Sequence, residues 1–297
     1  NYKADLLFGN FNDQQNYLLA GVKVKLDNNW KIYWKNPGEA GLPPKIIFDK
    51  ISNVSNVNLL FPEPKSFKFF NIDTFGYDKE IIFPLKIYVK NSEKIIFGNL
   101  KFNAQICNQI CVPIEENFKL NYFPKNPKIS NSSLKINEIL NKVPKLYNSQ
   151  SNFFQKIEIN NSFAKLYFTR PISSFRIIIE NKDNFIFPQS YQTYENIKNN
   201  YIKFTIPSEL KNEIKNDQLK INFFSNEMNF FYDFPVKDFW STEKTYLYLI
   251  SIALLAGFIL NFMPCVLPVL SLKIANFISI TNSNGFKLKR KIFNQIL

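Results

Sequence analysis

Three cysteines are the residues of this 297-residue chain best able to do chemistry. Cys107 and Cys111 lie together in AQICNQICVPIEENF, and Cys265 stands alone in ILNFMPCVLPVLSLK. The chain contains no histidine, which removes the commonest general base, the commonest metal ligand and every Ser-His-Asp or Cys-His mechanism. A strand rises about 3.3 Å per residue, so four extended steps would part the Cα atoms of Cys107 and Cys111 by about 13 Å, against the roughly 4.4–6.8 Å of a disulfide. If the two pair, the chain must turn between them, and Asn108-Gln109 suits a turn. A structural zinc site takes four Cys or His ligands, and two thiols without histidine fall short of that. Two readings of the pair remain open on local chemistry: a redox-active disulfide, or a staple closing a loop too short to contribute much chain entropy.

Cys265 sits between Pro264 and Pro268 inside the uncharged run from Tyr246 to Leu272. That run exceeds the about 20 residues that cross a bilayer core, so it reads as a transmembrane helix. Each proline breaks a backbone bond and frees a carbonyl, which lipid tolerates only where protein or a water-filled cavity satisfies it. The helix is expected to be kinked, packed among other helices, and to carry a thiol at the break. Taken alone, Cys265 also fits a small apolar packing role. Lys273 and the cluster Lys287, Lys289, Arg290 and Lys291 follow the run, whereas Lys237, Asp238, Glu243 and Lys244 precede it with mixed sign. The positive-inside rule puts the C-terminal end in the cytoplasm and residues 1–244 outside. The start at Asn1 without Met reads as a mature or trimmed front, and the end at KIFNQIL as a cut in mid-helix.

The elements that must position the cysteines read as β structure. YLLAGVKVKL, KIIFGNLKF, FKLNYF and KLYFTR have strand length with β-branched and aromatic content. Pro, Gly and Asn punctuate them, as in NPGEAGLPP and FPEPKSF. This pattern predicts a mainly β chain of one or two immunoglobulin-like sandwiches followed by the transmembrane helix. A polar stretch at 124–150 with a short amphipathic helical pattern, SSLKINEILNKV, reads as a linker to a second sandwich over 151–240. The net charge of +13 points to an anionic partner, and membrane lipid fits it. The lysines are scattered, with one dense basic cluster, which excludes specific nucleic-acid binding as the reading.

LNFMPCVLPVLSLK resembles the first transmembrane helix of the DsbD family of thiol:disulfide interchange proteins. IYWKNPGEAGLPPKI, FPEPKSF, FGYDKEIIFPLKI and QICNQICVPIEENFKL resemble the exported N-terminal domain of that family, particularly its suppressor-of-copper-sensitivity branch. The resemblance covers residues 17–123 and 246–273, and residues 150–237 by architecture alone. It implies a redox immunoglobulin-like domain at 1–123, a linker at 124–150 and a second sandwich at 151–240. The truncated start of a DsbD-type membrane domain would follow at 245–280, and a basic cytoplasmic segment at 281–297.

The resemblance also implies a relay in the inner membrane. Reducing equivalents from cytoplasmic thioredoxin pass a membrane cysteine pair, then a periplasmic thioredoxin-like domain, then the N-terminal domain, and reach exported disulfide-containing proteins. Those substrates would serve cytochrome c maturation, disulfide isomerisation or copper tolerance. Carried over by position, Cys107 and Cys111 form the exported redox pair, with Cys111 as the sulfur met by the partner, and Cys265 is the first membrane cysteine. Phe75 and Tyr77 fall where the family caps its site, while Asn36, Pro37 and Gly38 read as turn chemistry. No cofactor or metal is implied beyond the cysteines. The second membrane cysteine and the Cys-x-x-Cys domain are not in these 297 residues, so they would lie beyond Leu297 or in another chain. The cysteine spacing is shorter than in the best-known members. Glu115 and Glu116 would not lower a neighbouring thiol pKa, because like charge disfavours the thiolate. The rival reading from another class is a membrane-tethered β-sandwich binding or assembly module with a structural disulfide.

Overall fold

The computed structural model describes residues 1–38, 40–48, 51–69, 72–125, 131–147, 153–159, 163–169, 174–181, 186, 193–195, 200–205, 218–225, 229–235 and 242–261. The described chain is mainly β, in antiparallel sheets consistent with an immunoglobulin-like fold. Asn1–Phe239 forms one compact unit and Trp240–Leu297 another.

The first unit begins with two facing sheets. One orders β1 (Tyr2–Asn12), β2 (Tyr17–Leu26), β8 (Glu80–Val89) and β5 (Val54–Leu59) as β1-β2-β8-β5. The other runs β10-β9-β3-β7-β6, from β10 (Cys111–Tyr122) and β9 (Ile96–Cys107) through β3 (Lys31–Gly38) and β7 (Ile72–Asp78) to β6 (Lys65–Phe69). β4 (Lys45–Phe48) pairs with β9 where β3 leaves it.

Strand alternation explains the near-continuous apolar sequence of β2. Leu18, Ala20, Val22 and Val24 enter the main core with Trp34, Phe83 and Phe102, while Tyr17 and Leu19 point to the other face. There Ile136 of α1 (Asn131–Leu140) covers them, with none of its own side chain exposed. Gly21 permits that approach, since a Cβ there would fall 2.7 Å from Ile82 Cγ2 and 3.4 Å from Ile136 Cγ1. The amphipathic stretch expected within 124–150 is therefore a helix docked on the first pair of sheets.

The second half of the unit holds β11 (Lys145–Leu146), β18 (Asn229–Pro235), β17 (Gln218–Phe224), β14 (Ser174–Glu180) and β15 (Thr193–Glu195) in the order β11-β18-β17-β14-β15. A three-stranded sheet of β12 (Phe154–Ile159), β13 (Phe163–Phe168) and β16 (Tyr201–Thr205) completes it. Phenylalanines fill this half, with Phe223 and Phe230 stacked at 4.8 Å and Phe153 and Phe223 edge to face at 5.0 Å between ring centroids.

The two halves share a core. Ile178 and Phe224 belong to the same buried cluster as Trp34, and the Trp34 and Phe224 rings meet edge to face at 6.5 Å. Beside that contact lies a buried polar cluster. Lys35 Nζ donates to Glu180 Oε1 at 2.6 Å and to Asn222 Oδ1 at 3.1 Å. Asn36 Nδ2 donates to Glu180 Oε2 at 2.5 Å, and Asn222 Nδ2 to Glu180 Oε1 at 2.8 Å. Burial pulls the Lys35 ammonium below its usual range, against the opposing pull of Glu180. Arg176 and Glu63 make a second ion pair between the halves.

In the second unit, α2 (Thr242–Asn261) covers the first part of the uncharged run. Its described large apolar side chains, among them Leu249, Leu254 and Ile259, are exposed. Among the described residues no helix is long and apolar enough to cross a membrane. The rest of the expected span, with Pro264, Cys265 and Pro268, and the basic cluster at 287–291 lie outside the described residues.

Glu180 keeps only 2% of its side chain exposed and Lys35 keeps 32%. Glu180→Ala would strip its partners of their shared acceptor, although Lys35 can turn its charge toward water. We expect a loss of about 3 kcal/mol in stability to urea, at the low end for breaking a buried pair. A loss under about 1 kcal/mol would show that the cluster does not hold the halves together.

Candidate functional site

β9 and β10 form a hairpin whose register sets Cys107 directly opposite Cys111. The chain turns through Asn108, Gln109 and Ile110, with the Asn108 N–H donating to the Ile110 carbonyl at 3.0 Å. This brings the two Cα atoms to 4.1 Å, close to the separation of a non-hydrogen-bonded cross-strand pair. The sulfurs are bonded to each other. The turn that the spacing demands is present, and the hairpin register sets the two cysteines side by side.

The two sulfurs differ sharply in access. Cys107 is 2% exposed, whereas Cys111, at the turn end of the hairpin, is exposed. The Tyr33 hydroxyl donates to Cys107 Sγ at 3.1 Å and lies 3.8 Å from Cys111 Sγ. β3 delivers it there, because Lys31 pairs with Cys107 and Ile32 with Ile106, which sets Tyr33 beside the end of β9. Burial pushes the Tyr33 phenol above its usual pKa. Gly41 passes over the Tyr33 ring with a φ of +106°, and a Cβ there would fall 2.3 Å from Tyr33 Cζ. The Leu42 N–H donates to Gln105 Oε1 at 3.1 Å, tying this loop to β9. Exposed Leu42 and Ile110 supply apolar surface near the disulfide.

The turn read at Asn36-Pro37-Gly38 is present. Gly38 has a φ of +89° and its N–H donates to Asn36 Oδ1 at 3.2 Å. The register of β3 on β7 slips between Tyr33 and Gly38. Glu115 pairs with Lys101 at 2.7 Å. Glu116 accepts from the Tyr2 hydroxyl at 2.7 Å, and burial followed by that bond pushes Tyr2 up to about 12. Both carboxylates thus have partners of their own, four and five residues along β10 from Cys111.

Phe75 and Tyr77, expected over the sulfurs, are each 5% exposed and belong to the main core. Tyr77 packs edge to face on Phe83 at 5.3 Å and its hydroxyl donates to the Pro62 carbonyl at 2.8 Å. The register explains this placement. Ile32 of the core pairs with Tyr77, and Tyr33 pairs with Gly76, so the residue of FGY on the disulfide face of β7 is the glycine. Phe67 of β6 also lies on that face and carries the Lys31 ammonium 4.6 Å above its ring. Tyr33 is the residue against the sulfurs that the sequence alone does not single out. Tyr33 lay inside the motif IYWKNPGEAGLPPKI, but its bond to Cys107 spans 74 residues. Among the described residues no group of three or more His, Cys, Asp or Glu side chains could hold a metal ion.

Residues 6–121 match the family described as "Thiol:disulfide interchange protein DsbD, N-terminal". Among solved structures, the chain superposes on the N-terminal periplasmic domain of ScsB from Proteus mirabilis with a TM-score of 0.54 and 19% identity, covering 80% of this chain and 93% of that one. At that identity the likeness speaks to the fold. A looser superposition, TM-score 0.19 at 10% identity over 74% of this chain and 58% of the other, relates it to BcpA, the major pilin subunit of Bacillus cereus, and carries no argument. No curated protein matches the chain in sequence.

The unequal exposure of the two sulfurs is directly measurable. After reduction of the full chain, a small alkylating reagent should label Cys111 at least about tenfold faster than Cys107, because access governs thiol reactivity once both are reduced. Peptide mass spectrometry resolves the two sites. Equal rates would contradict the burial of Cys107.

Proposed function

We propose, from the premise that residues 6–121 form a DsbD N-terminal domain, that the Cys107–Cys111 disulfide is an exchangeable bond passing reducing equivalents to exported disulfide-containing proteins. The observation that carries this reading is the asymmetry of the pair. One sulfur is exposed at the tip of a hairpin, and the other is buried against a tyrosine hydroxyl. A staple needs no such difference, whereas stepwise exchange needs one sulfur to be met and one to leave.

In the loading direction, a thiolate of a thioredoxin-like partner attacks Cys111 Sγ. The intermolecular S–S bond forms, the Cys107–Cys111 bond breaks, and its electron pair leaves on Cys107 Sγ. The partner's second thiolate then attacks its own half of the mixed disulfide, so the partner ends oxidised and the pair ends as two thiols. In the unloading direction, the Cys111 thiolate attacks a substrate disulfide and Cys107 resolves the product. Neither direction requires histidine, metal or cofactor.

The wider relay is part of the same proposal. The thioredoxin-like partner is a further domain of the protein or a separate chain. Cytoplasmic thioredoxin feeds it through a membrane domain in which the run 246–272 crosses the inner membrane and Cys265 is a redox thiol. Residues 1–244 then lie in the periplasm, facing clients of cytochrome c maturation, disulfide isomerisation or copper tolerance.

Trapping tests the central exchange. Cys107→Ala in the full chain leaves the exposed thiol without its resolving partner, so it should capture an oxidised client as a mixed disulfide that a reductant releases. Cys111→Ala, with only the buried thiol, should capture at least about tenfold less. Absence of any reducible adduct with Cys107→Ala would favour the structural-disulfide module.

A further inference from the structure

Resting on the exchange reading above, we propose that Tyr33 is a catalytic residue of that exchange: its hydroxyl donates to Cys107 Sγ and stabilises the thiolate that leaves when Cys111 is attacked. The departing sulfur carries a full negative charge at a position 2% exposed to solvent. A buried charge without a hydrogen-bond donor is costly, and water has little access to supply one. The donor in place is the Tyr33 hydroxyl, 3.1 Å from Cys107 Sγ, and it is already aimed at the leaving atom in the disulfide state. Its 3.8 Å separation from Cys111 Sγ makes the interaction lopsided toward the leaving sulfur.

The surroundings hold that aim. Tyr33 is 4% exposed. Its partner across the sheet is Gly76, which sets no side chain beside it. Gly41 closes over the ring at a distance that no Cβ could share. Lys31, paired with Cys107 in the sheet, directs its ammonium over the Phe67 ring. The elevated pKa of the phenol keeps the proton on oxygen, so Tyr33 acts by sharing its hydrogen with the thiolate and not by giving it up. In electron terms, the attacking thiolate supplies the pair that forms the new bond to Cys111. The pair of the broken bond resides on Cys107, where the O–H⋯S contact changes from a bond to a neutral sulfur into a stronger one to an anion.

The test is reduction of the Cys107–Cys111 disulfide by dithiothreitol, which needs no protein partner. Acid quenching and alkylation, with the Cys107 and Cys111 peptides read by mass, give the rate in the full chain. Tyr33→Phe keeps the ring under Gly41 and removes the hydroxyl. It should slow reduction about tenfold, the scale of one hydrogen bond to a charged group, while leaving the thermal unfolding midpoint close to wild type. Tyr122→Phe removes a different buried hydroxyl, at the far end of the hairpin, and should leave the rate unchanged. Gly41→Ala retains the hydroxyl but displaces the ring, and should slow reduction in a folded chain, which keeps the test valid if Tyr33→Phe folds poorly. Wild-type rates in folded Tyr33→Phe, or in folded Gly41→Ala, would overturn the role of Tyr33. A chain whose Cys107→Ala variant still captures clients while Tyr33→Phe reacts at the wild-type rate would lose this proposal and keep the exchange reading.

Discussion

The course of β3 is the constraint on which the rest of the site depends. Four successive residues of this strand do three different jobs. Tyr33 reaches the disulfide, Trp34 is fully buried in the core shared by the two halves, and Lys35 and Asn36 bind the buried carboxylate of Glu180. A one-residue slip of this strand would turn its side chains to the wrong faces and undo all of these contacts. The slip is blocked at both ends. Pairing of Lys31 with Cys107 fixes one end, and the Asn36–Gly38 turn with the Glu180 cluster fixes the other.

That arrangement offers the proposed thiol exchange a route that needs no histidine, and the chain has none. Disulfide exchange needs access for the attacking sulfur and an environment that accepts the leaving thiolate. In the proposed exchange the hairpin tip would supply the first at Cys111, and the Tyr33 hydroxyl the second at Cys107. The neighbouring carboxylates do not oppose it closely. Glu115 is occupied by Lys101 and Glu116 by Tyr2, and both lie along β10 away from the tip.

Local features of this fold are legible in the sequence, and long-range ones are not. YLLAGVKVKL is β2 from its first residue to its last, and the stretch containing NSSLKINEIL holds the predicted helix. The spacing of Cys107 and Cys111 requires a turn, and a turn is there. Phe75 and Tyr77, which the sequence offers as cap or structural residues, lie in the core, and alternation within FGY alone has two phases. Only the pairing with β3 decides which phase faces the sulfurs, and it puts Gly76 there. The ion pair of Lys35 with Glu180 spans 145 residues, and no local pattern links KNPG to IIIE. A tyrosine inside an apolar strand likewise does not announce that its hydroxyl will meet a cysteine on another strand.

The central claim is that Cys107–Cys111 is a working bond and not a staple, and its midpoint potential tests that most directly. Equilibrating the full chain with glutathione or dithiothreitol buffers, and counting the reduced fraction of these two cysteines, gives the value. The account predicts a potential between about −120 and −270 mV, the range of thiol–disulfide exchange proteins. A value below about −300 mV, where structural disulfides of secreted proteins lie, would contradict it.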